Sequence, residues 1–178
     1  MLLRYCLPAL LFFGLLLVSL AGCAGDEGDR VRTAADPYEY GQRIYTLRCQ
    51  TCHQPDGAGI AGAFPPLTPP NPWVNDDKGR LIRLVLHGVR GEMEVHGEIY
   101  RGVMPGFSYL NDDEVAAVLT YVRQSFGNDT TAVSPEQVAA VRAANDAPRR
   151  GWDADDLWEA TGIPNVENVE VDSLSFAP

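Results

Sequence analysis

Cys49-Gln50-Thr51-Cys52-His53 is the stretch that decides how this chain folds. Two thiols three positions apart can add to the two vinyl groups of one porphyrin. The histidine that follows then lies under the iron as an axial ligand. The rivals for such a pair fit less well. A thiol–disulfide oxidoreductase carries Cys-x-x-Cys in a strand–helix–strand setting, whereas a helical segment precedes Cys49. A zinc site needs four convergent ligands. The only other histidines are His87 and His96, and there is no second cysteine pair. The chain is therefore read as holding one haem c, attached through Cys49 and Cys52.

Working back from the motif, Asp36-Pro37 reads as a helix start, a capping side chain followed by proline at the first helical position. Gly41, Ile44, Tyr45 and Arg48 follow at helical spacing into Cys49. Working forward, residues 54–72 hold Gly57, Gly59, Gly62 and six prolines, which is loop composition. Residues 79–87 form a short amphipathic helix, with Gly88 as its terminator. Residues 89–110 show no long helical period, and turns are expected near Gly91, Gly97 and Gly106. Asn111 and Glu114 make a capping-box pattern. It opens a helix whose apolar face is Val115, Val118, Leu119, Tyr121 and Val122 and which Gly127 ends. Ser134-Pro135-Glu136-Gln137 opens another helix to about residue 145. Residues 153–161 predict a last short one, stopped by Gly162 and Pro164. Residues 163–178 read as irregular.

The expected fold is all-α. Helices pack around one covalent haem, with a partly irregular C-terminal extension. The central segment has about 90 residues, and small domains bury too little surface on their own. A large apolar cofactor would complete its core.

The ends of the chain read differently. Residues 2–20 are apolar apart from Arg4, and they close on Leu20-Ala21-Gly22-Cys23. A basic start, a short apolar run and small residues describe a secretory signal rather than a spanning helix. The last four residues resemble a bacterial lipobox, which implies cleavage before Cys23 and lipidation of its sulfur. Residues 1–22 are thus read as signal and 23–36 as a flexible tether. Residues 37–128 are the haem domain and 129–178 an acidic extension. The cysteines then divide without remainder: Cys6 in the signal, Cys23 for lipid, Cys49 and Cys52 for haem. The expected location is the outer face of a bacterial cell membrane, with the membrane contacted through the lipid.

Net charge is −10. Residues 37–128 hold eight basic and ten acidic side chains, whereas residues 129–178 hold three and ten. The acidity belongs largely to the extension. No basic stripe marks a nucleic-acid surface. The extension either wraps the domain, docks a basic redox partner, or lies on the domain partly solvated.

His53 needs an acceptor for its second ring nitrogen. The stiff segment Phe64-Pro65-Pro66-Leu67 can supply a carbonyl without a competing donor. The sixth iron ligand must come from Met93, Met104, His87 or His96. Arg80 and Arg83 could neutralise haem propionates or form a solvated helix face.

Residues 37–127 resemble a class I cytochrome c domain. The resemblance rests on Cys49-Gln50-Thr51-Cys52-His53, Phe64-Pro65-Pro66-Leu67, Gly102-Val103-Met104-Pro105 and the Val118–Val122 helix face. It implies that His53 and Met104 are the axial ligands and that the Pro65 carbonyl accepts from His53. It implies that Gly41 and Tyr45 pack across Tyr121. It also suggests that Trp73 and Tyr100 reach a propionate, where the plainer reading makes them packing residues at the haem rim.

His/Met ligation raises the potential and leaves no position open for substrate. The expectation is electron transfer without a small-molecule substrate, between protein partners such as a quinol-oxidising complex or dehydrogenase and an oxidase or reductase. A fixed haem subunit of a dehydrogenase or reductase complex is the alternative. A haem-based gas sensor is the third reading.

Overall fold

The computed structural model describes residues 36–144 and 147–162. The signal, lipobox and tether expectations, and the irregular tail beyond residue 162, lie outside the described residues.

Helix α1 (Pro37–Arg48) starts where the capping pattern predicts. The Asp36 carboxylate accepts from the Tyr38 N–H, and Pro37 occupies the first turn. A short α2 (Gln50–His53) carries the rest of the haem motif. An irregular stretch leads to α3 (Pro72–Asn75) and α4 (Lys78–His87). Then come four three-residue strands: β1 (Gly88–Arg90), β2 (Met93–Val95), β3 (Glu98–Tyr100) and β4 (Val103–Pro105). Helix α5 (Asp112–Arg123) follows, then α6 (Pro135–Ala144), strand β5 (Trp152–Asp153) and α7 (Ala154–Glu159).

The architecture is mostly helical. The strands are what the absence of helical period in residues 89–110 left unspecified. β2 and β3 form a hairpin. β1 pairs antiparallel with β4 and parallel with β5, so a three-stranded sheet draws together residues 63 positions apart, Val89 with Trp152 and Arg90 with Asp153.

Helix α1 crosses α5 at Gly41. A methyl group built there would stand 2.1 Å from the Ala117 carbonyl oxygen and 2.8 Å from Tyr121 Cβ. The absent side chain is what lets the two backbones approach. Beside this crossing, Tyr45, Tyr121 and Phe126 form an aromatic cluster with ring centroids 5.1–5.6 Å apart. Gly41→Ala must push the helices apart, and overpacking of this kind costs about 1–3 kcal/mol. A denaturant titration of the haem-loaded chain will show the loss as a lower midpoint.

Helix α5 has the predicted capping box, with reciprocal bonds between Asn111 and Glu114. It ends at Arg123, four residues before Gly127. The Arg123 side chain folds back to donate to the carbonyls of Thr131 (2.8 Å) and Val74. Asn128 likewise donates to the Val122 carbonyl.

The described part of the extension lies on the domain. Val138 and Val141 of α6 have no exposed surface, nor does Leu157 of α7. Thr120 donates to and accepts from Val133. Arg142 bonds Asp112 and the Leu110 carbonyl. At the far end Gly162 donates to Asp77 and accepts from Arg83.

Candidate haem site

One continuous apolar cavity runs through the domain. Cys49, Cys52 and His53 contribute to its wall from α2 and its approach. Leu81, Leu84 and Val85 of α4 and Val118, Leu119 and Val122 of α5 supply much of the apolar lining.

The order of α2 brings the motif to the wall. Its backbone turns tightly, with the Cys52 and His53 N–H groups both donating to the Cys49 carbonyl. The Tyr45 hydroxyl donates to the Gln54 carbonyl at 2.6 Å, which ties the end of α2 to α1. Burial pushes the Tyr45 phenol well above its ordinary range. Cys49 and Cys52 are free thiols, both half-buried. Burial, then the neighbouring Cys52, pushes the Cys49 thiol up to about 11.

His53 Nδ1 lies 3.0 Å from the Pro65 carbonyl oxygen. A carbonyl can only accept, so Nδ1 carries the proton and Nε2 keeps its lone pair for a metal. Burial lowers the His53 pKa, and the Pro65 carbonyl only partly opposes this. The ring is therefore held neutral, the form that ligates.

The segment Phe64–Leu67 is pinned at three successive carbonyls. Pro65 accepts from His53, Pro66 from Asn71 (2.8 Å) and Leu67 from Asn128 (2.8 Å). Asn71 and Asn128 were not among the residues singled out from sequence. Asn71 had a readable signal, since asparagine before Pro72 is a helix cap, and its side chain does accept from the Trp73 N–H. Asn128 had none, because its two partners lie in separate segments.

Met104 reaches the cavity from β4, where it pairs with Val89. Gly88 ends α4 with φ 76° and pairs with Pro105. A methyl group there would stand 2.4 Å from the Met104 carbonyl oxygen, so glycine is required for this close turn. Met93 also lines the cavity, from β2. His87 and His96 do not. His87 ends α4, and exposed His96 sits in the hairpin turn beside the Thr68 carbonyl. Of the four candidates for a sixth ligand, the structure brings two methionines to the cavity and leaves both histidines outside it.

Trp73 and Tyr100 are both buried and both line the cavity. The Tyr100 hydroxyl donates to Glu98 at 3.1 Å. Burial, with that bond second, raises its pKa. Among the described residues Arg48 is the cavity's one arginine or lysine, and it stands 5.7 Å from the Tyr109 ring. Arg80 and Arg83 are not a solvated face. They are 6% and 4% exposed, because the extension covers that side of α4.

The family model described as Cytochrome c matches residues 38–126. The chain belongs to the cytochrome c family. Cytochrome c-552 of Thermus thermophilus is 42% identical over 91 residues, which are 49% of this chain and 69% of that protein. The cytochrome c subunit of alcohol dehydrogenase (quinone) from Gluconobacter oxydans (strain 621H) is 32% identical over 117 residues, 63% of this chain. The gluconate 2-dehydrogenase cytochrome c subunit of Pantoea cypripedii is 33% identical over 111 residues, 60% of this chain. The chain spans only 24% and 25% of those two subunits.

Membership implies a covalently bound haem c and a role in electron transfer. The residues present fit that group. Two free thiols, a neutral histidine with Nε2 available and two thioethers line one apolar cavity. Among the described residues no cluster of acidic, histidine and cysteine side chains offers a competing metal site. No described helix is long and apolar enough to cross a membrane.

Proposed function

We propose that this chain is a membrane-tethered, mono-haem electron carrier. Cys49 and Cys52 would anchor the haem, and His53 and Met104 would hold its iron. The observation that carries the reading is the single apolar cavity shared by all four residues. Bound there, haem supplies a one-electron iron couple. Pro65 holds the His53 ring in the ligating tautomer, and the three pinned carbonyls keep that wall still. The apolar lining excludes water, so little solvent must reorganise when the charge changes. Pro65 is thus a positioning residue. Trp73 and Tyr100 form the rim on the side of α3 and the hairpin.

The Leu20-Ala21-Gly22-Cys23 sequence supports export and a lipid at Cys23. The partners are redox proteins at the outer face of the membrane. A second reading has specific support: several relatives are cytochrome subunits of dehydrogenases. On that reading the chain is a fixed haem subunit and its acidic extension an assembly element. Size-exclusion chromatography of native detergent extracts separates the two. The shuttle reading expects the haem to elute at the size of one chain in its micelle. Co-migration with a large enzyme would overturn it in favour of the subunit.

A further inference from the structure

Arg80 is a buried cation that the haem site as described does not use. It is 6% exposed, and its Nε and Nη1 are buried without a hydrogen-bond partner among the described residues. The carboxylate at the head of its helix does not pair with it. Asp77 accepts instead from the backbone N–H groups of Arg80 and Gly162. The guanidinium rests on two indoles. Its Cζ is 3.9 Å from the Trp158 ring centroid and 5.7 Å from that of Trp73, and the rings themselves pack edge to face at 4.9 Å. Trp73 lines the haem cavity, and Trp158 belongs to the extension. The positive charge therefore stands behind the cavity wall, under a lid that the extension provides.

Arginine does not lose its proton, so relief by deprotonation is closed. A buried charge without a paired anion is held at a cost. Its field is weakly screened, because the guanidinium is buried against the two indoles. Such a field favours whichever state of the iron carries less positive charge. That is the ferrous state, reached by taking up one electron.

We propose that Arg80 sets the reduction potential of the haem upward, and that Trp158 of the extension keeps its charge dry. Arg80 is a positioning charge rather than a ligand. The proposal rests on the haem site of the preceding section. The two fail separately: a chain without covalent haem sinks that site, whereas a loaded chain whose potential ignores Arg80 sinks only this proposal.

The test is the midpoint potential of the full, haem-loaded chain by spectroelectrochemistry. Arg80→Gln is expected to shift the electron-transfer equilibrium toward the ferric form by about tenfold, equivalent to 59 mV for one electron. Arg80→Lys keeps the charge and should hold most of the native value. Trp158→Ala admits water to the guanidinium and should lower the potential in the same direction, by less. Arg101→Gln removes an exposed cation paired with Glu92 and serves as the control for surface charge. The proposal is overturned if Arg80→Gln falls no further than Arg101→Gln, or if Arg80→Lys falls as far as Arg80→Gln. Should Arg80→Gln fail to load haem, Trp158→Ala decides, and an unmoved potential there rejects the idea.

Discussion

Replacing Met104 with alanine will lower the midpoint potential of the haem by a sizeable share of the roughly 0.8 V range that axial ligands command. The thioether favours ferrous iron, and its removal leaves water or nothing in its place. On the proposed ligation, the neighbours of Met104 hold it in place. It pairs with Val89 across β1 and β4, and the turn at Gly88 brings those strands together. Met93 provides the contrast, since it lines the same cavity from the β2–β3 hairpin. Met93→Leu keeps the volume and should leave the potential close to native. If Met93→Leu produces the large fall and Met104→Ala does not, the ligand assignment passes to Met93.

The second large effect is on attachment and folding together. A chain with Cys49→Ser and Cys52→Ser will show no haem absorbance on the polypeptide after denaturing electrophoresis. It will also unfold at a much lower temperature than the native chain. Loss of the thioethers leaves only axial bonds to retain the cofactor. Loss of the cofactor leaves Leu81, Leu84, Val85, Val118, Leu119 and Val122 facing an apolar void. Stability falls with residual cavity volume, by about 24 cal/mol per Å³ in well-studied cores. A cavity of about 170 Å³ left uncollapsed then costs about 4 kcal/mol, close to the low end of a small domain's whole stability of about 5–15 kcal/mol. Haem that stays on the double-serine chain through denaturation would show that another side chain carries the bond.

Much of this was legible in the sequence because the signals are local. Asp36-Pro37 and Asn111 with Glu114 announce their helices through caps that act within four residues, and both caps are present. The haem motif and the Phe64–Leu67 segment are short and contiguous. What was not legible depends on distant partners. The strands β1 and β4 have three residues each, too few for a period, and β1 is completed by Trp152 and Asp153 from the extension. Arg80 and Arg83 look like a charged helix face until Trp158 and Gly162 cover them. Helix α5 stops before its expected glycine, where Thr130 donates to the Arg123 carbonyl and Asn128 to the Val122 carbonyl.

The central claim is that the iron sits between His53 and a methionine of the chain, with no position open, and therefore relays electrons. Its most direct test is the absorption spectrum of the ferrous native chain at neutral pH before and after carbon monoxide. A saturated iron predicts an unchanged spectrum in the native chain and a prompt carbon monoxide adduct in Met104→Ala. Rapid formation of the adduct by the native chain would contradict the claim and favour a haem that binds gas.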